Sequence, residues 1–383
     1  MQHGRKIIYL AGFLFSLPIA LASYINSSFI SSFTGEKLVG IVYALGSILS
    51  IIALLLAPKI IPKVGGSKFL LGVVFLDALS FLGLVFVQSP LILVMLFILG
   101  ISLNTLVVFS LDEILKIFSQ NENTGKIRGS YLAICNLAWI LAQVASGTVL
   151  GAFSFRAIYF ISFLVMTSLL LTSFLKLRNI PDPKYDKDST IKYLGNFFRN
   201  KNLLRAYALS FLLHFFFCWM VIYTPIYLSK YIGFSWKSLG IIFAIMLLPF
   251  SILPIHLGRY ADKVGERIML MIGFTIISLT TLLLFFIQGN VLWIWAMCLF
   301  VTRVGAATVE IMSDSYFFKH IKPENEEFVG VFRSAAPVSY IIGPILASLV
   351  FFFIPSFSFI YIILGAIILS GVYISSTIAK DDI

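Results

Sequence analysis

Charge is scarce in this sequence. Only 12% of its 383 residues are Asp, Glu, Lys or Arg, while 60% are apolar and the mean hydropathy is +1.00. Soluble domains carry about a quarter charged residues, so a globular protein of this composition could not cover its own surface. The same shortage excludes a disordered chain or a coiled coil. Cysteine is almost missing as well. Cys135, Cys218 and Cys298 all lie in apolar stretches, with no paired spacing and no His in ligand register. A disulfide-stapled secreted domain is ruled out, and the three read as small core residues without a metal or redox role. No Walker loop or other nucleotide motif occurs, and no cofactor is called for. The remaining class is an all-α integral membrane protein.

Long apolar runs are what the sequence has in quantity. A helix needs about 20 mostly apolar residues to cross the hydrocarbon of a bilayer. Twelve such runs occur: Ile7–Ile30, Leu38–Leu56, Phe69–Val87, Leu91–Leu115, Ser130–Leu150, Ala157–Leu175, Ala206–Leu228, Leu239–Leu257, Ile268–Ile287, Val291–Phe318, Ala335–Ile354 and Phe357–Thr377. A barrel would show short alternating segments instead. The first run is too long for a removable signal peptide and lacks a small-residue cleavage site.

The basic residues sort by side. With the N-terminus inside, 23 of the 28 Lys and Arg fall in cytoplasmic segments and four, Lys37, Arg156, Lys230 and Lys237, fall opposite. Arg303 alone lies within a span. The positive-inside rule then puts both termini in the cytoplasm, which suits a plasma (inner) membrane protein. The net charge of +11 is a topology signal. It leaves a nucleic-acid partner without support.

The chain divides into an N-terminal six-helix bundle (1–175), a linker (176–205) and a C-terminal six-helix bundle (206–383). The linker starts polar and turn-rich at Pro181, Asp182 and Pro183 and ends in an expected amphipathic surface helix around Tyr193–Leu204. Its eight basic and three acidic residues suit an anionic inner leaflet. The bundles repeat. At an offset of 200, Lys37, Gly40, Ile41, Ala44, Ile52, Lys63, Val64 and Gly65 recur as Lys237, Gly240, Ile241, Ala244, Ile252, Lys263, Val264 and Gly265. Both copies start inside and cross six times, so the repeat is parallel. Parallel repeats place a substrate site at their interface near the midplane and alternate its access by rocking. A monomer is expected.

One loop carries a family resemblance. Gly258-Arg259-Tyr260-Ala261-Asp262-Lys263-Val264-Gly265-Glu266-Arg267 resembles the signature loop of the major facilitator superfamily, matching its glycines, its acid and its two basic positions. The resemblance implies a fold of twelve helices in two six-helix halves, with spans one, four, seven and ten lining the pathway. It makes Gly258, Asp262, Lys263, Gly265 and Arg267 a gating latch, in which Lys263 and Arg267 pair with acids at the end of span ten such as Asp314. Gly265 supplies the positive φ of a tight turn, and Asp262 complements the N-terminus of a nearby helix. The first-half copy departs from the pattern, with Pro58 and Pro62 in place of the glycine and the acid. Span five also lacks the Gly-Pro pattern of drug/proton antiporters, since Ala138-Trp139 lies opposite Gly343-Pro344.

Charges inside the bilayer cost about 2.5–3.5 kcal/mol each on insertion scales, so each asks for a partner or a role. Span ten holds Arg303, Glu310 and Asp314, which helical periodicity places within about 40° of one another. Arg303, near the midplane, suits an anionic solute group. Glu310, about 10 Å further along, suits a proton or solute contact. A mutual or interhelical salt bridge is the alternative for both, and the latch is the reading for Asp314. Asp77 in span three reads as an interhelical hydrogen bond. His214 in span seven can titrate near neutral pH or be a hydrogen-bonded interior histidine. Asn104, Asn136 and Gln143 either line the pathway or join helices.

The expected function is secondary transport of a small solute by alternating access, coupled to protons through Glu310. It is not enzymatic. Two alternatives stand beside it: a receptor or scaffold with a transporter fold but no turnover, and a membrane-embedded lipid-modifying enzyme. The latter needs clustered acids or histidines at the membrane face, and the sequence has none.

Overall fold

A computed structural model describes residues 2–118, 124–177, 194–253, 257, 264–321, 327–354 and 356–379. Within a bilayer every backbone N–H and C=O needs an internal partner, and a helix supplies these within one segment. The apolar runs accordingly fold as helices. They are α1 (Gln2–Ser23), α2 (Asn26–Thr34), α3 (Glu36–Val64), α4 (Gly66–Phe86), α5 (Pro90–Phe118), α6 (Thr124–Ala152) and α7 (Phe155–Thr172). The short α8 (Leu194–Arg199) precedes α9 (Lys201–Ile222), α10 (Thr224–Ile226), α11 (Trp236–Ile252), α12 (Glu266–Leu284) and α13 (Leu292–His320). The last three are α14 (Glu327–Arg333), α15 (Ala335–Phe353) and α16 (Phe359–Ser376). Among the described residues eleven helical segments are long and apolar enough to cross a membrane, and α11 is a shorter apolar twelfth.

Several boundaries differ from the apolar runs. The first run is two helices, broken by a turn at Tyr24 and Ile25. Ala20 O, at the end of α1, accepts from Ser23 Oγ at 3.0 Å and from Gln143 Nε2 on α6 at 2.9 Å. Carbonyls at a helix end lack intrahelical partners, so these donors replace the missing turn. The seventh run breaks at Tyr223, because Pro225 has no N–H to continue the ladder, and goes on as a π-helical turn over Tyr227–Tyr231. Only Leu194–Arg199 forms the expected surface helix. Asn200 then caps α9 by accepting from the backbone N–H groups of Asn202 and Leu203 at 3.0 and 3.4 Å. Lys201–Arg205 thus belongs to the seventh spanning helix.

The chain forms two compact units, Met1–Lys187 and Asp188–Ile383. In the first, α1 packs on α5, α6 and α7, α4 packs on α5 and α7, and α3 packs on α5. In the second, α9 packs on α13, α15 and α16, α12 packs on α13 and α16, and α11 packs on α13. Numbered by span, the two sets of partners are the same. The internal repeat is therefore a repeat of packing as well as of sequence. Gly65 and Gly265, which correspond at the offset of 200, have φ of +91° and +81°; the first joins α3 to α4 and the second precedes α12. Both occupy the left-handed region that a side chain disfavours.

Close approach fixes the pairing of α12 with α13. A Cβ on Gly305 would stand 2.7 Å from Gly273 O, and one on Gly273 would stand 3.1 Å from Gly305 O. Small residues that let backbones meet are the usual device for helix association in lipid, where no hydrophobic drive separates helix from solvent.

Candidate functional site

The polar residues of the second unit converge on α13. Its apolar outward face is marked by Trp293, Ile294 and Met297, which are 65%, 48% and 54% exposed. Arg303, Glu310 and Asp314 lie about 100–140° round the helix from Met297. The stripe therefore turns away from the face suited to lipid. Thr302–Val309 is buried except for a half-buried Val304, yet Glu310 is exposed. The carboxylate of Glu310 is therefore exposed on the side of α13 away from its apolar outward face.

Arg303 is 2% exposed. Its guanidinium carbon lies 5.2 and 5.1 Å from the ring centroids of Phe216 and Phe217 on α9. These contacts are cation–π interactions, worth about 2 kcal/mol when desolvated. Its Nε and Nη2 atoms are buried and have no hydrogen-bond partner. Among the described residues it forms no ion pair with Glu310, so the alternative of a mutual salt bridge finds no support there. Seven residues of helical rise, about 10 Å, separate them.

Asp314 is bound elsewhere than expected. Arg333, at the end of α14, donates from Nη1 to Oδ1 at 3.1 Å and from Nη2 to Oδ2 at 2.8 Å. This fork-on-carboxylate pair is one the sequence did not suggest, and the expected pairing of Asp314 with Lys263 lies outside the described residues. Arg267 forms no ion pair among the described residues, and Lys263, with Gly258 and Asp262, lies outside them. The acid that does hold the start of α12 is Glu266, 4% exposed at its side chain, whose Oε1 lies 2.6 Å from Lys319 Nζ and accepts from Ser315 Oγ at 2.9 Å. The first unit has a counterpart of the Asp314 pair: Arg128 Nη2 lies 3.6 Å from Asp112 Oδ1, tying the end of α5 to α6.

His214 is half-buried on α9, its Nδ1 2.8 Å from Ser210 O, with its ring against Phe217. It is within electrostatic range of Asp314 and Arg333, and Glu310 is within range of Asp314, Arg333 and Arg303. One helix thus gathers the span-seven histidine, the span-ten stripe and the span-eleven arginine into one group.

The first unit's candidates divide. Gln143 is spent on Ala20 O and joins helices. Asn136 is half-buried on α6. Asn104 lines a cavity of about 190 Å³ with Ser23, Asn26, Ser80 and Tyr159. Tyr159 donates to Asn26 Oδ1 at 2.8 Å there. Asp77, fully buried, forms no interhelical hydrogen bond among the described residues, the link expected of it. Its Oδ1 accepts from Ser80 Oγ of its own helix at 3.3 Å, and its Oδ2 has no partner. Three residues of these sites went unmarked in the sequence reading. Arg333 was legible only as a basic residue near a span end, and Phe216 and Phe217 are two of 38 phenylalanines. Among the described residues no group of His, Cys, Asp and Glu is placed to hold a metal ion.

A polytopic membrane protein of two six-span units with one packing plan, holding a polar stripe on the fourth helix of the second unit, has the architecture of a solute carrier. The Major Facilitator Superfamily pattern matches residues 7–326 and, in an overlapping second match, 225–380, and the chain belongs to that family. Membership supports a secondary transporter of small solutes and points to a transporter rather than an enzyme. The fold is similar to the crystal structure of a mutant of the nucleoside transporter NupG, with a TM-score of 0.79 over 97% of this chain and 99% of that one, at 13% identity. No curated protein sequence matches the chain.

Proposed function

We propose that the protein moves a small solute across the plasma (inner) membrane by alternating access, with both termini in the cytoplasm and with proton movement through Glu310. The observation that carries this reading is the α13 stripe. Glu310 is exposed on the side of the helix away from its apolar outward face, which supports a place in a polar pathway. A proton entering down 100 mV supplies about 2.3 kcal/mol, which a carboxyl in that position is able to harness. Arg303 and His214 belong to the same pathway, and the pairs Asp314–Arg333 and Glu266–Lys319 hold helix ends beside it. The chain acts as a monomer, and its basic linker rests on anionic lipid.

Reconstituted vesicles test this. A solute found by ligand stabilisation of the purified protein is expected to exchange across the vesicle wall and to accumulate when an inward proton gradient is imposed. Glu310→Gln should abolish gradient-driven accumulation while leaving solute exchange at equal pH. Unchanged accumulation in that variant sinks the role of Glu310. Tight solute binding without any exchange favours a receptor that does not turn over.

A further inference from the structure

We infer that the solute is an anion and that Arg303 binds its charged head. This rests on the transport reading above and names its substrate class. Carboxyl and imidazole groups escape the cost of burial by going neutral, but a guanidinium keeps its charge at any accessible pH. Arg303 is 2% exposed and has no carboxylate in contact among the described residues. Asp314 already holds both terminal nitrogens of Arg333, and Glu310 lies two turns away. One fixed positive charge is thus left in the group without an anion beside it.

The rings of Phe216 and Phe217 attract that charge, but a ring face takes no in-plane hydrogen bond from it. The two atoms left bare, Nε and Nη2, are the two donors along one side of the guanidinium plane. A single planar pair of acceptor oxygens satisfies both at once, as a carboxylate or phosphate does. Lys in this position would offer a point charge and no such edge. The two ring contacts hold the guanidinium in position before the ligand arrives. The class of ligand is a small organic carboxylate or phosphate.

Thermal unfolding of the purified, detergent-solubilised protein tests this at matched ionic strength, with benzoate, succinate and inorganic phosphate against the uncharged benzamide and uridine. At least one anion should raise the unfolding midpoint of the wild type by several degrees, and the carboxylate and phosphate arms identify the head group. Arg303→Gln should lose that response, Arg303→Lys should weaken it by tenfold or more in apparent affinity, and the exposed Arg156→Gln should keep it. If Arg303→Gln fails to fold, the wild type and Arg303→Lys decide. An equal response in the Arg303 variants, a response to the uncharged compounds alone, or no response to any anion overturns the inference. Vesicle counterflow separates it from the transport reading: binding at Arg303 without exchange leaves the anion site and removes transport, and exchange of an uncharged solute does the reverse.

Discussion

Burial treats each charged side chain of this protein differently. Glu266 has 4% side-chain exposure and depends on Lys319 and Ser315 for its partners. Replacing Lys319 by Met strands a buried carboxylate, an expected loss of about 2 kcal/mol. The Arg333–Asp314 pair has better geometry but side-chain exposures of 54% and 33%. Water screens it, and Arg333→Met is expected to cost under about 1 kcal/mol in stability. Unfolding midpoints of the two variants check the order, and a larger loss for Arg333→Met contradicts it. The contrast also shows what a sequence conveys at this scale. The scarcity of charge made Arg303, Glu310 and Asp314 conspicuous, and their common helix face followed from their spacing. Their partners did not follow. Asp314 meets Arg333 across 19 residues and a change of helix, so that pairing depends on where α14 ends in space. Asp77 turned to Ser80 three residues along its own helix, a local choice that no periodicity predicts.

Among the helices, contact between backbones decides which neighbours can exist. Gly305→Ala would place a Cβ 2.7 Å from Gly273 O, and backbone yields less readily than a side-chain tip. The expected cost is about 1–3 kcal/mol, seen as a lowered unfolding midpoint. Gly72 on α4 has nothing within 4 Å of the same atom, so Gly72→Ala should be neutral or slightly stabilising. Equal effects at the two sites would remove the packing explanation. Gly265→Ala should cost about 1 kcal/mol for a different reason, since its φ of +81° belongs to the left-handed region. That turn was readable in advance from the spacing of the loop. The break in the first span was not, because Tyr24 and Ile25 are as apolar as their surroundings and hydropathy does not register a turn. Pro225 did announce the break in the seventh span, two residues late.

At the scale of the whole molecule, twelve apolar runs and an offset of 200 residues were enough to reach the architecture, since length and hydropathy are what a bilayer selects. Sidedness is open to direct measurement. Single cysteines at Lys37 and Lys237 should label with an impermeant thiol reagent in intact cells, and cysteines at Lys68 and Lys319 only after permeabilisation; the reverse pattern inverts the proposed topology. Each unit has its own set of helix-helix contacts. Two separately expressed pieces, 1–187 and 188–383, should therefore each insert, and should restore solute binding when co-produced. The ribosome consequently meets the same assembly problem twice. By the time α9 emerges, the helices α5, α6 and α7 that pack on α1 have already been made, so the nascent first unit can settle while the second is still being translated. A synthesis halted midway would leave a packed six-helix protein in the membrane, and the cell would have to recognise it as incomplete without exposed, unfolded segments to mark it.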